Sequence, residues 1–404
     1  MKTKPIYVLV VDDDPVFTMF LRQLLLSLAE ELPCHVSSAE SGEAGLEAVR
    51  RERFDLALVD YHLPGVSGLD FLVSLGNLPL GQQPAVVMLT GSGNESVAVE
   101  AMKRGAKDYL KKNDLDLAAL MRALQSALAQ KRLSEQVAAY NAQVKADLEM
   151  ARKLQESLLP HGYPTFPAGA AVVESALRFQ HRYFWTTQLG GDFFNVQNLS
   201  DTAVGMLICD VMGHGVRSAL VTAMLRALVG DLEIHLHDPG SFLLEMNRRL
   251  AAILKQIEEP LYATAVYLVA DIAAEELRYA RAGHPAPLHL QPQTNLVEAL
   301  PFPSHAGAAL GLFEKTEFIT CRRRLLAGDR LLLFTDGLYE ATNGAGEEFG
   351  LERLLAVTRQ HVQSPLGELL DGLIAEVRAY TEGNEFEDDV CLLGMEVART
   401  ANRG

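Results

Sequence analysis

Four aspartates stand at the ends of two short apolar runs near the start of the chain. They are Asp12, Asp13 and Asp14 after IYVLVV, and Asp60 after LALV. A turn or a helix cap explains each one alone, but carboxylates that gather repel one another unless a divalent cation neutralises them. Oxygen ligands suit Mg²⁺. The hydroxyl of Thr90 and the ammonium of Lys112 beside such a pocket would suit a phosphoryl group.

A second set of aspartates lies later in the chain, where apolar runs meet turns. LGGDFF, CDVMGHG, LLLFTDGLYEA and FEDDVCLL contain its members, which are Asp192, Asp210, Asp336, Asp388 and Asp389. Three of these motifs contain glycines near the aspartate, and these glycines leave room for the backbone to approach a metal ion or a substrate. Such carboxylates favour a site for two cations about 3.5–4 Å apart, which would activate a water for phosphoryl displacement. The alternative is a group of unrelated turn carboxylates.

Strands must carry the first aspartate set to a common edge, and the first third of the chain supplies them. IYVLVV (6–11), LALV (56–59) and AVVMLT (85–90) are continuous apolar runs, as expected of strands buried on both faces. Helical stretches such as residues 16–32 lie between them, and this alternation predicts an α/β fold with a doubly wound parallel sheet. In such a sheet the ligand crevice lies beyond the carboxyl ends of the strands.

A long helix is predicted between the two acidic sets. From Leu117 to Leu159 the chain contains no proline or glycine. Eight positions in this stretch alternate four and three apart, and seven of them are uncharged and mostly apolar: Leu133, Val137, Tyr140, Val144, Asp147, Ala151, Leu154 and Leu158. The heptad spacing favours a dimerising or signalling coiled coil. The alternative is a surface helix packed on its own chain.

The pattern changes at residues 158–169, where three prolines and two glycines end the helix. Beyond them lie β-rich segments at 264–272, 276–283 and 329–337, interrupted by helical stretches at 214–233 and 239–257. This indicates a sheet-rich domain with helices packed outside it. We therefore expect three parts: residues 1–128, a helical linker at 129–160, and a second domain at 161–404.

Composition limits the partners. The 404 residues carry a formal net charge of −16, which argues against nucleic acid or an anionic membrane as the main partner. No stretch approaches about 20 uninterrupted apolar residues, and the apolar run at the start is too short for a signal peptide. The four cysteines lie far apart and are interpreted as free thiols: Cys34, Cys209, Cys321 and Cys391. We expect a bacterial cytoplasmic protein.

The first part of the chain resembles the receiver domains of two-component response regulators. The motifs VLVVDDDP, LALVDYHLPGVSGLDFL, VVMLTG and RGAKDYLKKN carry the resemblance, which covers about residues 4–128. It implies that Asp60 accepts a phosphoryl group from a sensor histidine kinase. The residues implied to hold Mg²⁺ are Asp12, Asp13, Asp60 and the backbone carbonyl of His62.

The same resemblance implies the groups that respond to phosphorylation. Thr90 and Lys112 would contact the phosphoryl oxygens, and Tyr109 would be the switch aromatic. Lys112 is preferred to Lys111 because the family lysine comes three residues after that aromatic.

The last part resembles the SpoIIE/RsbU-type serine phosphatases of the PPM (PP2C-like) class, from about Ala151 to Val397. ARKLQESLLP, LGGDFF, ICDVMGHG, ATAVYLV, ARAGHPAPL, GDRLLLFTDGLYEA, FGLERL and EDDVCLL follow the family order. The resemblance implies a central β-sandwich flanked by helices, with two Mn²⁺ or Mg²⁺ between the sheets. Asp210 would bridge the metals, and the other implied ligands are the carbonyl of Val211 and the carboxylates of Asp192, Asp336 and Asp388. Asp389 is the second choice in its pair.

Two histidines adjoin these motifs. His214 could protonate the leaving serine oxygen, although packing within its turn is the preferred interpretation. His284 in AGHPAPL is interpreted as structural.

Together the resemblances imply a response regulator in which phosphorylation of Asp60 controls a metal-dependent protein serine/threonine phosphatase. Asp192 and Asp210 would be its catalytic aspartates. Its substrate would be a phosphoserine protein of the STAS-type anti-sigma-factor antagonist class. The chain would form a homodimer through the linker helix. The alternative is a catalytically silent adaptor that binds a sigma factor and uses the phosphatase fold as a docking surface. Loss of metal aspartates would indicate the adaptor, and all four are present.

Overall fold

The chain forms two compact units, Met1–Lys145 and Ala146–Gly404. The computed structural model describes residues 4–91, 95–160, 162–186, 189–255, 257, 260–303, 307–383 and 385–400. Within these residues, no helix is both long enough and apolar enough to cross a membrane.

The first unit is a parallel five-stranded sheet with helices between its strands. Its strands are β1 (Ile6–Val11), β2 (Cys34–Ala39), β3 (Leu56–Asp60), β4 (Ala85–Thr90) and β5 (Asp108–Lys111). Its first four helices are α1 (Pro15–Ser27), α2 (Gly42–Arg51), α3 (Gly68–Gly76) and α4 (Glu95–Lys103). The spatial order β2-β1-β3-β4-β5 brings the ends of β1 and β3 side by side. The predicted doubly wound sheet is confirmed.

Burial on both faces explains why these strands are apolar throughout. Successive side chains point to opposite faces of a sheet. Val8 and Val10 of β1 therefore pack into one core, while Leu9 and Val11 pack into the other.

Helix α5 (Leu117–Leu158) is a single continuous helix of 42 residues, as the absence of proline and glycine predicted. Its first turns belong to the core of the first unit through Leu120 and Leu124. The division between the two units falls inside this helix.

The second unit is a sandwich of two antiparallel five-stranded sheets. The first sheet has the order β13-β10-β9-β8-β7, and the second has the order β12-β11-β14-β15-β6. The strands are β6 (Leu177–Phe184), β7 (Asp192–Asn198), β8 (Ala203–Val211), β9 (Ala263–Asp271), β10 (Glu276–Ala282), β11 (Leu288–Gln291), β12 (Leu296–Ala299), β13 (Cys321–Arg324), β14 (Arg330–Phe334) and β15 (Val390–Val397). The helices are α6 (Val216–Gly230), α7 (Pro239–Leu254), α8 (Leu351–Gln360) and α9 (Leu366–Tyr380).

Three hydrophobic cores make this unit a four-layered structure. Side chains from both sheets, such as Met206 and Leu393, form the core between them. Helices α6 and α7 cover the outer face of the first sheet, and α8 and α9 cover the outer face of the second. This confirms the predicted β-sandwich with flanking helices.

Candidate functional site

The first acidic set converges at the carboxyl ends of β1 and β3. Asp12, Asp13 and Asp60 each offer a carboxylate oxygen, and these three oxygens lie within 4.8 Å of one another. Asp12 and Asp60 are buried, whereas Asp13 is exposed to solvent. Three carboxylate oxygens at this spacing fit a hard cation such as Mg²⁺.

Lys112 is the lysine whose side chain reaches this pocket. Its Nζ lies 2.8 Å from Asp12 Oδ2 and 2.9 Å from Asp60 Oδ2. Burial alone would lower the pKa of Lys112, but its hydrogen bonds to the two carboxylates outweigh burial and raise it. Burial raises the pKa of Asp60, and the contact with Lys112 opposes that rise.

Asp14 and the other residues predicted for the receiver site lie around this pocket in different roles. Asp14 is the N-cap of α1 and accepts hydrogen bonds from the backbone N–H groups of Val16 and Phe17. The backbone N–H of His62 donates to the Asp60 carboxylate. Thr90 is buried at the end of β4, the strand next to β3, and Tyr109 on β5 has an exposed fraction of 37%. Asp14 is thus a helix cap, the simple alternative for a strand-end aspartate.

In the second unit, Asp192 and Asp210 face each other across two strands. They are direct partners in the antiparallel pairing of β7 with β8, so both side chains project from the same face. Burial, and then the neighbouring charge of Asp210, raises the pKa of Asp192 well above its ordinary value. Burial, followed by Asp336 and Asp388, raises the pKa of Asp210 to about 7.

Asp336 and Asp388 come to the same place from the opposite sheet. Asp336 begins a short turn after β14, and Asp388 precedes β15. A Cβ on Gly337 would lie 2.2 Å from the Asp389 carbonyl oxygen, so glycine permits this close approach of backbone. The charged groups with the largest effect on the pKa of Asp210 are all carboxylates. A cation would relieve their repulsion, and the oxygen donors fit Mn²⁺ or Mg²⁺.

The two aspartates of the FEDDVCLL motif differ in their hydrogen bonds. Asp389 is buried, and its Oδ1 accepts from the backbone N–H and the hydroxyl of Thr186 at 2.9 and 3.2 Å. Its Oδ2 accepts from the Gly191 N–H at 2.7 Å. Asp388 is exposed, and its Oδ1 accepts from the Asp389 N–H at 2.8 Å. Both Asp389 oxygens therefore accept hydrogen bonds from backbone N–H groups, whereas the Asp388 carboxylate is more accessible to solvent.

The carboxylates of this unit stand farther apart than those of the first. Among the described residues, Asp12, Asp13 and Asp60 form the one set of three ligand-type side chains within 4.8 Å. No three described carboxylates of the second set come within that distance of one another. Backbone oxygens lie close by: a Cβ on Gly191 would be 2.7 Å from the carbonyl oxygen of Val211.

The two histidines have different environments. His214 is exposed in the turn after β8. His284 is buried, its Nδ1 lies 2.7 Å from Thr264 Oγ1, and burial lowers its pKa to about 3. The neutral, buried His284 agrees with its structural interpretation.

Sequence reasoning missed the groups that orient Asp192. Thr335 Oγ1 donates to Asp192 Oδ2 at 2.7 Å and accepts from the Cys391 N–H at 2.9 Å. Tyr183 Oη donates to the Asp192 carbonyl oxygen at 2.9 Å. Thr335 stands directly before Asp336 in LLLFTDGLYEA, and this position beside a predicted ligand could have identified it. Tyr183 lies on β6, in the opposite sheet and nine residues before Asp192, and no motif marked it.

Family models match both parts of the chain. The response regulator receiver domain model matches residues 8–125, and the Stage II sporulation protein E (SpoIIE) model matches residues 200–398. The chain therefore combines a response regulator receiver domain with a SpoIIE, PP2C-like domain, as its motifs predicted.

Two relatives from Bacillus subtilis (strain 168) are similar to much of the chain. Phosphoserine phosphatase RsbP is 30% identical over 255 residues, which are 63% of this chain and 58% of RsbP. Phosphoserine phosphatase RsbU is 24% identical over 234 residues, which are 57% of this chain and 64% of RsbU. The chain thus spans less than two thirds of either relative.

A solved structure shares the fold of the second unit. The SiaA-PP2C domain of Pseudomonas aeruginosa aligns with a TM-score of 0.55 and 24% identity, covering 64% of this chain and 99% of that domain.

Proposed function

We propose that the protein is a metal-dependent protein serine/threonine phosphatase whose activity depends on phosphorylation of Asp60. One observation carries the phosphatase proposal: aspartates from both sheets gather around Asp210, and burial with their charges raises its pKa to about 7. Such a cluster is costly without a cation. The names of RsbP and RsbU, both phosphoserine phosphatases, support the same reaction class.

The proposed ligands of two Mn²⁺ or Mg²⁺ ions are Asp192, Asp210, Asp336, Asp388 and the Val211 carbonyl. When bound, such ions supply an activated water and stabilise charge on the phosphoryl oxygens. The Thr335 hydroxyl orients Asp192 by its hydrogen bond, and Asp389 anchors the loop before Asp192 through Gly191. Asp210 is the proposed bridging ligand because it faces Asp192 across the strands and is flanked by Asp336 and Asp388.

In the receiver domain, Asp60 is the proposed acceptor of a phosphoryl group from a sensor histidine kinase. Asp12, Asp13 and the His62 carbonyl would hold Mg²⁺ beside it. The ammonium of Lys112, 2.9 Å from Asp60 Oδ2, is close enough to neutralise charge on the acquired phosphoryl group. Thr90 is the proposed second contact to that group, and Tyr109 the switch aromatic.

The proposed substrate is a phosphoserine protein of the STAS-type anti-sigma-factor antagonist class, which rests on the SpoIIE/RsbU-type resemblance. The proposed linker, residues 129–160, is an interface between two copies of the chain. Supporting this, its apolar stripe is solvent-exposed: Leu133 by 62%, Val137 by 51%, Tyr140 by 68%, Val144 by 37% and Leu154 by 63%. A coiled-coil partner would bury these side chains.

Purified protein should release phosphate from a phosphoserine protein only when Mn²⁺ or Mg²⁺ is present, and Asp388→Asn should impair that release. Asp201→Asn, which makes the same change of charge in the exposed turn at the opposite ends of β7 and β8, is the control. Wild-type protein that binds a sigma factor but releases no phosphate with any divalent cation would favour the adaptor.

A further inference from the structure

Gln155 is a buried polar residue near the end of α5, and both ends of its carboxamide are engaged. Its Nε2 donates to the Gly190 carbonyl oxygen at 2.6 Å, and its Oε1 accepts from the Gly190 N–H at 3.1 Å. One side chain thus forms paired hydrogen bonds with one backbone residue. This pairing requires a donor and an acceptor together, which a carboxamide provides and a carboxylate does not.

Gly190 belongs to a loop, residues 189–191, that connects several parts of the acidic site. Gly191 precedes Asp192, and its N–H donates to Asp389 Oδ2 at 2.7 Å. The Gly191 carbonyl oxygen accepts from the Val211 N–H at 3.2 Å, directly after Asp210. The loop therefore touches the segments that carry three aspartates of the site.

This loop has little room to move independently of its contacts. A Cβ on Gly190 would lie 2.6 Å from Asp389 Oδ2 and 2.8 Å from Tyr183 Oη. The Leu189 carbonyl oxygen accepts from the Gly215 N–H at 3.2 Å, at the start of α6. A shift of Gly190 would therefore be transmitted to the backbone that follows Asp210, at Val211 and at Gly215.

A second contact joins α5 to the same region. The Arg152 guanidinium lies 5.0 Å from the centre of the Trp185 ring, and that ring packs on Tyr183 with centroids 4.2 Å apart. Tyr183 Oη donates to the Asp192 carbonyl oxygen. Arg152 precedes Gln155 by three residues, so both contacts lie on one face of the helix.

We propose that Gln155 is the positioning residue through which helix α5 sets the geometry of the phosphatase metal site. This inference rests on the proposed function and names the point where the linker helix acts on it. Groups that orient metal ligands commonly contribute 10- to 100-fold, roughly, to metal affinity or activity. Gln155 does not contact a proposed ligand side chain itself; it acts on the ligands through loop 189–191.

The test uses full-length Gln155→Glu and Gln155→Met, which keep the side-chain length but lose the paired hydrogen bonds. Lys153→Ala, at an exposed position of the same helix, is the control and changes the charge by the same amount as Gln155→Glu. Mn²⁺ binding is measured by electron paramagnetic resonance of the free ion, separately from kcat and KM for a phosphoserine protein. Asp12→Ala in every variant removes the receiver's contribution to Mn²⁺ binding.

We expect Mn²⁺ affinity and kcat to fall roughly tenfold or more in both Gln155 variants, with KM changed less than threefold and Lys153→Ala unaffected. If Gln155→Glu does not fold, Gln155→Met decides. A folded Gln155→Met that binds Mn²⁺ as tightly as the control would overturn the inference. Wild-type protein that binds Mn²⁺ but is inactive would contradict the proposed function alone, because the binding comparison still tests Gln155.

Discussion

Asp210 links the metal site to stability at the scale of single residues. Its pKa is raised to about 7, mainly by burial and then by Asp336 and Asp388. An unfolded aspartate titrates near its ordinary value of about 3.9. A folded pKa above the unfolded one gives a stabilising contribution that is full below pH about 4 and is lost as the pH rises through about 7. The metal-free site therefore costs stability at neutral pH.

Asp210→Asn should nearly abolish phosphatase activity, because an amide lacks the charge that holds two cations together. In EDTA the variant should be more stable than wild type at pH 8, and this difference should shrink toward pH 4 with a slope of up to about 1.4 kcal/mol per pH unit. Denaturant unfolding across this range measures the difference, while beryllofluoride binding at Asp60 should be unchanged. Near-normal turnover, or an identical pH dependence in both proteins, would contradict the assignment.

His284 should change the pH dependence of stability in the opposite direction to Asp210, because its folded pKa is lowered and not raised. Burial lowers its folded pKa to about 3, so its stabilising contribution is full above pH about 6.5 and is lost as the pH falls toward 3. His284→Asn removes the titrating group and should flatten the acid side of the stability curve of the metal-free protein. Unfolding free energies between pH 4 and 7 test this, with exposed His237→Asn as the control. An equally steep acid loss in His284→Asn would show that the buried imidazole is not responsible.

At the scale of elements, the sequence predicted the secondary structure that depends on neighbouring residues alone. Apolar runs predicted the strands of the receiver sheet, and the absence of helix breakers predicted α5. The pairing of Gln155 with Gly190 and of Thr335 with Asp192 joins residues 35 and 143 positions apart. No periodicity or spacing within one segment encodes such pairs, because they depend on how two sheets and a helix pack.

The exposed stripe on α5 leads to a prediction about assembly. Val137→Glu with Val144→Glu would bury like charges in a dimer seam, which costs several kcal/mol, roughly, for each unpaired ion. Sedimentation at tens of micromolar should find wild type as a dimer and the double variant as a monomer. Ala139→Glu with Ala146→Glu adds the same charge at exposed positions outside the seam and should stay dimeric. A monomeric wild type, or a double variant that remains dimeric, would rule out this interface.

At the scale of the whole molecule, the order of motifs predicted both domain families, and the family matches confirmed them. The sequence motifs also named aspartates that the fold brings together in each unit. Their hydrogen bonds could not be foreseen: only the folded chain distinguishes the anchored Asp389 from the accessible Asp388. The proposed coupling between the domains depends on α5, which extends from one compact unit into the other.

The central claim is that phosphorylation of Asp60 controls the phosphatase. The most direct measurement is the initial rate of phosphate release from a phosphoserine protein, with and without beryllofluoride in Mg²⁺, for wild type and Asp60→Asn. Coupling between two sites commonly changes an equilibrium by at least about fivefold. We predict a rate change of that size in wild type and none in Asp60→Asn. An equal response in both proteins, or no response in an active wild type, would contradict the account.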